Sequence, residues 1–287
     1  MTNLILAIIC SSGNALIMKF AECKTNNRVS LLLVNYVVAI VFGIVLVVQN
    51  YESFKQHDIG VLPILSLING ILFVLTFLLL QLNVYRNGAT ISASLSHMGL
   101  MIPVVMSIFL FGEFPNIKQS VGLALAIGAL VFISLPTKEE KNAVSCFKKT
   151  HCRWLLIPML ISGGMADTMS KIFEEYCDHS LEDLFLSSTF LVALFICIIA
   201  FFYKKEKVNI YDLIYGVLLG LSNYLSTKFL IRSIYSIPAY IAYISYGLGV
   251  VIFVNIVNIL IMHESLNKRD YVGMLLAMTA IALLNLI

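Results

Sequence analysis

The chain has 287 residues, 60% of them hydrophobic and 12% charged, with a formal net charge of +3 and a mean hydropathy of +0.93. A soluble domain carries about 25% charged residues, so composition excludes an ordinary water-soluble enzyme or binding module. No nucleic-acid partner is expected. Ten apolar runs fill the chain, at 3–20, 29–49, 59–83, 88–111, 117–135, 153–174, 181–203, 210–234, 238–262 and 268–287. A span needs about 20 mostly apolar residues. Lipid offers no partner for backbone polar groups, so such spans are helices. The expected fold class is an all-α integral membrane protein with ten transmembrane helices.

Met1-Thr2-Asn3 offers no basic region of a cleaved leader, and no small-residue cleavage site follows the first run. The first run carries Ser11, Ser12, Gly13 and Asn14 near its middle, then Lys19 and Glu22. Small and hydroxyl residues there permit close helix contact or line a polar cavity. Lys19 and Glu22 share a face and can pair or reach the interface. The second run is apolar apart from Asn35 and Tyr36, and the third holds Asn69, Gly70, Thr76, Gln81 and Asn83. The fourth carries His97 and then Pro103, which frees a backbone carbonyl and marks a kink or a discontinuous helix. His97 has no second metal ligand at helical spacing, so it reads as a polar residue facing the bundle. No metal and no cofactor are expected.

Residues 136–152 form a short basic linker. The sixth run holds Ser162-Gly163-Gly164, then Asp167, Lys171, Glu174 and Glu175. Asp167 and Lys171 are four apart, the spacing of an intrahelical pair. The seventh run reads as apolar. The eighth carries Lys228 and Arg232, four apart and of like sign, so neither neutralises the other. Arg232 can snorkel, whereas Lys228 lies a turn deeper and calls for an anion: Asp167, a glutamate of the sixth run or a substrate. The ninth opens with Tyr240, Tyr243 and Tyr246. An interfacial aromatic belt accounts for Tyr240 better than for Tyr246. The sixth and eighth runs point the same way and the ninth opposite, which puts Asp167, Lys171, Lys228, Arg232 and Tyr243 at comparable depth. The six cysteines are scattered without a CxxC and read as ordinary thiols.

The chain repeats itself. A shift of 151 lays Glu113, Asn116, Val121, Gly122, Leu125, Ala126 and Ala129 on Glu264, Asn267, Val272, Gly273, Leu276, Ala277 and Ala280 without a gap, seven identities across the 21 positions 113–133. A repeat of this kind indicates two related halves, 1–135 and 153–287. Gly122-xxx-Ala126 and Gly273-xxx-Ala277 favour close helix contact, within the fold or between chains. Glu113 and Glu264 precede their helices, where a carboxylate meets the positive end of the helix dipole.

Ten spans as five plus five, Pro103 in the fourth, Gly112-Glu113 at the break and Gly122 beyond it, with Glu264 and Gly273 in the second half, make a set. In this the chain resembles the EamA-like branch of the drug/metabolite transporter superfamily. The resemblance implies two five-helix halves in inverted repeat. It also implies a central cavity lined mainly by helices 1, 3, 4, 6, 8 and 9, and secondary transport by alternating access. Members often carry Trp-Gly in the first helix, where this chain has Ser12-Gly13; Val254 stands where the second proline would fall. The resemblance implies no particular substrate.

Odd-numbered loops hold thirteen Lys and Arg; even-numbered ones hold three, Lys55, Lys118 and Arg232. The positive-inside rule then puts both termini outside, in a plasma-membrane protein, whereas the resemblance favours cytoplasmic termini. The expected function is a secondary carrier exporting a small zwitterionic or anionic metabolite such as an amino acid. Its candidate substrate-binding residues are Asp167, Lys171, Lys228, Arg232, Tyr243, Tyr246, His97 and Asn14. The alternative is a multidrug exporter exchanging lipophilic cations for protons, with Asp167 or Glu22 as the switched carboxylate. Expected partners are a small-molecule substrate, the lipid bilayer and a coupling proton. Both halves lie in one chain, which permits a functional monomer and leaves a dimer open. No HExxH, GxSxG or P-loop occurs, so neither an intramembrane enzyme nor direct ATP drive is indicated.

Overall fold

The computed structural model describes residues 1–22, 28–51, 58–87, 96, 98–134, 153–204, 208–260 and 268–285. Among them are ten α-helices and no strand. They are α1 (Thr2–Glu22), α2 (Arg28–Gln49), α3 (Leu62–Asn87), α4 (Met101–Phe109), α5 (Ile117–Ser134), α6 (Leu156–Tyr176), α7 (Glu182–Lys204), α8 (Ile210–Ile234), α9 (Ala239–Leu260) and α10 (Lys268–Asn285).

Six helices contain a segment long and apolar enough to cross a membrane: Thr2–Ala21, Val29–Gln49, Leu62–Leu80, His179–Tyr203, Ile210–Ile234 and Ala239–Leu260. The other four fall short for separate reasons. Asp167, Lys171, Glu174 and Glu175 dilute α6. Helix α4 is only nine residues long. The apolar parts of α5 and α10, Ile117–Ile133 and Tyr271–Asn285, are shorter.

Compactness divides the chain into two units, each drawing on both sequence halves: Met1–Val74 with Met169–Ser236, and Leu75–Thr168 with Ile237–Ile287. In the first unit α8 packs against α1 and α2, and α7 against α2. Glycines set the spacing. A Cβ on Gly216 or Gly220 would collide with α2 at Val34 or Val38, and one on Gly70 with the Thr189 carbonyl of α7. Small residues allow this approach, and dispersion between close-packed surfaces is what lipid cannot supply. Phe190 joins three elements, its ring 6.0 Å from Tyr36, 5.7 Å from Phe73 and 5.9 Å from Tyr224. Each such pair is worth about 0.5–1.5 kcal/mol beyond its buried area. On its far side α7 presents Leu191, Phe195, Ile199 and Phe202, all more than half exposed. A patch that large marks a partner or a membrane. At helical spacing along a membrane-length helix, it is a lipid-facing stripe.

In the second unit α5 packs along α10 and α4 along α9. Ala126, Ala129, Ala277 and Ala280 are fully buried, and a Cβ on Gly122 would press within 3.1 Å of Leu283 and Leu284. The small-xxx-small patterns thus serve contact within the chain. The backbone turns at Gly99-Leu100, and Pro103 sits in the first turn of α4, where a missing N–H costs no helical bond. The sequence offered a kink or a discontinuity at this proline; among the described residues the helix begins at Met101, two residues before it. Gly164 of α6 lies so close to the Gly99 carbonyl and Ile102 that no Cβ fits between.

Candidate functional site

The first unit holds a cluster of buried charge. Asp178 caps the turn before α7, its carboxylate accepting from the Ser180 N–H at 2.8 Å. Glu182 and Asp183 then open α7, where the helix dipole favours carboxylates. On α8, Lys228 and Arg232 are one turn apart and present their cations on one face.

These two features meet. The Lys228 ammonium donates to Asp183 Oδ1 at 2.5 Å, with side chains only 8% and 5% exposed. Tyr224 OH donates to the same oxygen at 2.9 Å, and Asn50 Nδ2, just past α2, donates to Oδ2 at 3.3 Å. Arg232 Nε donates to both oxygens of Glu182 at 3.1 Å. The four groups together are electrically neutral. Alongside, Lys171 of α6 is buried and pairs with Glu174 and with Glu175, the latter at 3.3 Å. Tyr235 stacks on His179, ring centroids 3.7 Å apart and nearly parallel. Burial and the neighbouring Glu182 carboxylate push the Tyr235 hydroxyl well above the ordinary phenol range, so it stays protonated.

Of the residues singled out from sequence, Lys171, Lys228 and Arg232 fall within this part of the first unit. Lys228 finds its anion in Asp183, which opens a helix read above as apolar. The sequence carried a partial signal: two cations a turn apart call for acids, and Glu182-Asp183 begins the seventh run, but nothing in it assigned Asp183 to Lys228. Asn14 is also in this unit, half-buried on α1, its Oδ1 without a hydrogen-bond partner among the described residues. The neighbouring Gly13 faces Ser222, whose hydroxyl donates to the Cys10 carbonyl at 2.7 Å. Lys19 is exposed on α1; the side chain of Glu22 lies outside the described residues.

The second unit holds the rest. Tyr243 is fully buried and its hydroxyl donates to the Asp167 carbonyl at 2.8 Å, tying α9 to α6. Tyr240 is 3% exposed and donates to Gln119 Oε1 at 2.9 Å, so it belongs to the packed interior rather than to an interfacial belt. Tyr246 is half-buried on α9. His97 lies outside the described residues. Glu113 caps a helix far from it in the chain. Its carboxylate accepts from the Ala239 N–H at 2.7 Å, at the start of α9, and from the Ser107 hydroxyl. Between α4 and α6 an open apolar groove of about 290 Å³ is lined by Met98, Met101, Ile102, Val105, Met106 and Leu160.

Membrane-length helices, a lipid-facing stripe and charge held inside helix packing define an integral, multi-pass membrane protein. The family model described as the EamA-like transporter family matches residues 1–135 and 152–286. The chain therefore belongs to that family, part of the drug/metabolite transporter superfamily, whose members move small substrates across membranes. It is 25% identical to an uncharacterised protein of Haemophilus influenzae (strain ATCC 51907 / DSM 11121 / KW20 / Rd) over 288 residues, 98% of this chain and 96% of that one. It is also similar in fold to a protein of known crystal structure, with 12% identity and a TM-score of 0.72 over 99% of this chain and 96% of the other.

Proposed function

We propose that this protein is a secondary active transporter that exports a small zwitterionic or anionic metabolite, an amino acid being the type case, by alternating access between two inverted five-helix halves. The observation that carries the reading is the buried Lys228–Asp183 pair. Apolar residues of similar volume are often as stabilising as a buried ion pair, or more so. Ionisable residues inside a membrane protein mark a substrate or ion pathway by default. The pair changes the assignment of roles. Both cations are paired, but Lys228 is buried whereas Arg232 is 42% exposed, so Arg232 becomes the leading partner for a substrate carboxylate. Within the second unit, Asp167, Tyr243 and Tyr246 are separate candidates for substrate contact.

The test is flux into and out of proteoliposomes, with amino acids, organic anions, sugars and lipophilic cations as probes. Saturable exchange of a zwitterion or anion is expected, reduced at least tenfold by Arg232→Gln. A protein that folds, binds none of the probes and moves none of them would sink the carrier reading.

A second reading, a proton-coupled exporter of lipophilic cations, is favoured by the open groove of α4 and α6. Its lining is apolar and includes three methionines, and flexible thioethers suit promiscuous apolar ligands. Flux of lipophilic cations alone, abolished by Asp167→Asn, would select it.

A further inference from the structure

Arg232 reaches Glu182 through one nitrogen. Both of its bonds leave from Nε. The two terminal nitrogens of a guanidinium carry four further N–H donors, and among the described residues none of these has an acceptor. The Arg232 side chain is 42% exposed while that of Glu182 is 5% exposed, so the accessible part of the pair is the arginine. Tyr235 ends α8 three residues on, and its hydroxyl is buried without a hydrogen-bond partner among the described residues. Lys228 and Asp183, by contrast, are both buried and committed to each other.

Charge balance narrows the ligand. Within the Lys228–Asp183 and Arg232–Glu182 pairs, two cations and two anions match one to one. A ligand carrying net charge leaves one buried charge uncompensated, which is costly. A zwitterion adds one charge of each sign and leaves the balance unchanged. A planar carboxylate also suits the terminal edge of a guanidinium, which offers two parallel N–H donors.

We infer that this cluster is the head-group site for a zwitterion, with the substrate carboxylate docked on the terminal edge of Arg232 and its ammonium drawn to Glu182, the carboxylate paired with that arginine. Glu182 also positions the arginine, because its two bonds to Nε aim the guanidinium. Lys228 holds Asp183 and does not itself bind substrate. The inference rests on the carrier reading above and assigns its substrate class.

The experiment takes the purified full-length protein and measures binding of the twenty common amino acids by thermal shift. It then compares the best of them with its methyl ester, a cation, and its N-acetyl derivative, an anion. The parent zwitterion should bind, and each derivative should bind at least tenfold more weakly. Arg232→Lys keeps the charge opposite Glu182 but loses the planar edge. It should fold as the wild type does and bind the zwitterion at least tenfold more weakly. Glu182→Gln should weaken binding and flatten the preference for the zwitterion over the N-acetyl derivative. Wild-type affinity in Arg232→Lys, or a derivative that binds as tightly as the parent, overturns the inference. So does an Arg232→Lys protein whose one defect is lost stabilisation by anionic lipid vesicles, which would make the arginine a lipid head-group contact. The carrier reading is checked separately by proteoliposome flux. Transport of organic anions or lipophilic cations without any amino acid binding leaves the carrier standing and removes the zwitterion site; no flux of any probe removes both.

Discussion

Asp183 is the residue on which the buried charge depends. Three side chains donate to its carboxylate, from the end of α2 and from two turns of α8. Removing one member of a buried pair leaves an uncompensated charge, at a cost of about 3–5 kcal/mol. Asp183→Ala should therefore lower the thermal midpoint in detergent substantially. Adding Lys228→Met to it should restore most of the loss, because the orphaned ammonium goes as well. A double variant no more stable than Asp183→Ala would show that the pair is not what holds this region. Lys228 was visible in sequence as a cation needing an anion. Its partner was not, because Asp183 lies 45 residues away and only the packing of α7 near α8 joins them.

Among the helices, the start of α9 is set by a residue from another element. Glu113 follows Gly112, whose φ of +68° suits a residue without a Cβ. From that turn its carboxylate reaches across to the first N–H of α9 and to Ser107 of α4. Loss of an N-terminal cap costs about 0.5–2 kcal/mol. Glu113→Ala should destabilise by about that much, and Glu113→Gln, which keeps an acceptor oxygen, by less; unfolding in detergent measures both. Equal losses would show that the charge, not the hydrogen bond to Ala239, carries the effect. Helix α6 meets the Gly99-Leu100 turn in a similar spirit, through the absence of a side chain. Gly164→Val should be destabilising by about 1–3 kcal/mol, the usual cost of overpacking. A stable Gly164→Val would mean that the close approach to the Gly99 carbonyl is not maintained.

At the scale of the whole molecule, basic residues at and beyond the helix ends carry the orientation expected from the sequence. Thirteen basic residues in odd-numbered loops against three in even-numbered ones predict termini on the outer side. Reporter fusions at Ile287 test this directly: a reporter active only in the cytoplasm reverses the orientation. Ten apolar runs were legible in the sequence, and ten α-helices occur among the described residues. Their strengths were less legible. Six pass as membrane spans by length and composition, and α6 does not because its second half is charged. The compact units also cut across the repeat that the sequence displays, since each takes helices from both halves. A repeat records likeness between segments, whereas compactness records which segments touch.

The sequence by itself determined the helical, membrane-embedded class, the places of most helices and the presence of unusual charge on α6 and α8. These follow from composition and from hydrogen-bond satisfaction within single helices, which depend on neighbours in the chain. Tertiary structure decided the pairings: Lys228 with Asp183, Arg232 with Glu182, Tyr243 with the Asp167 carbonyl and Glu113 with the start of α9. Those contacts join residues 45 to 126 positions apart. Helical periodicity assigns a residue to a face, and only the packing of two faces assigns it a partner.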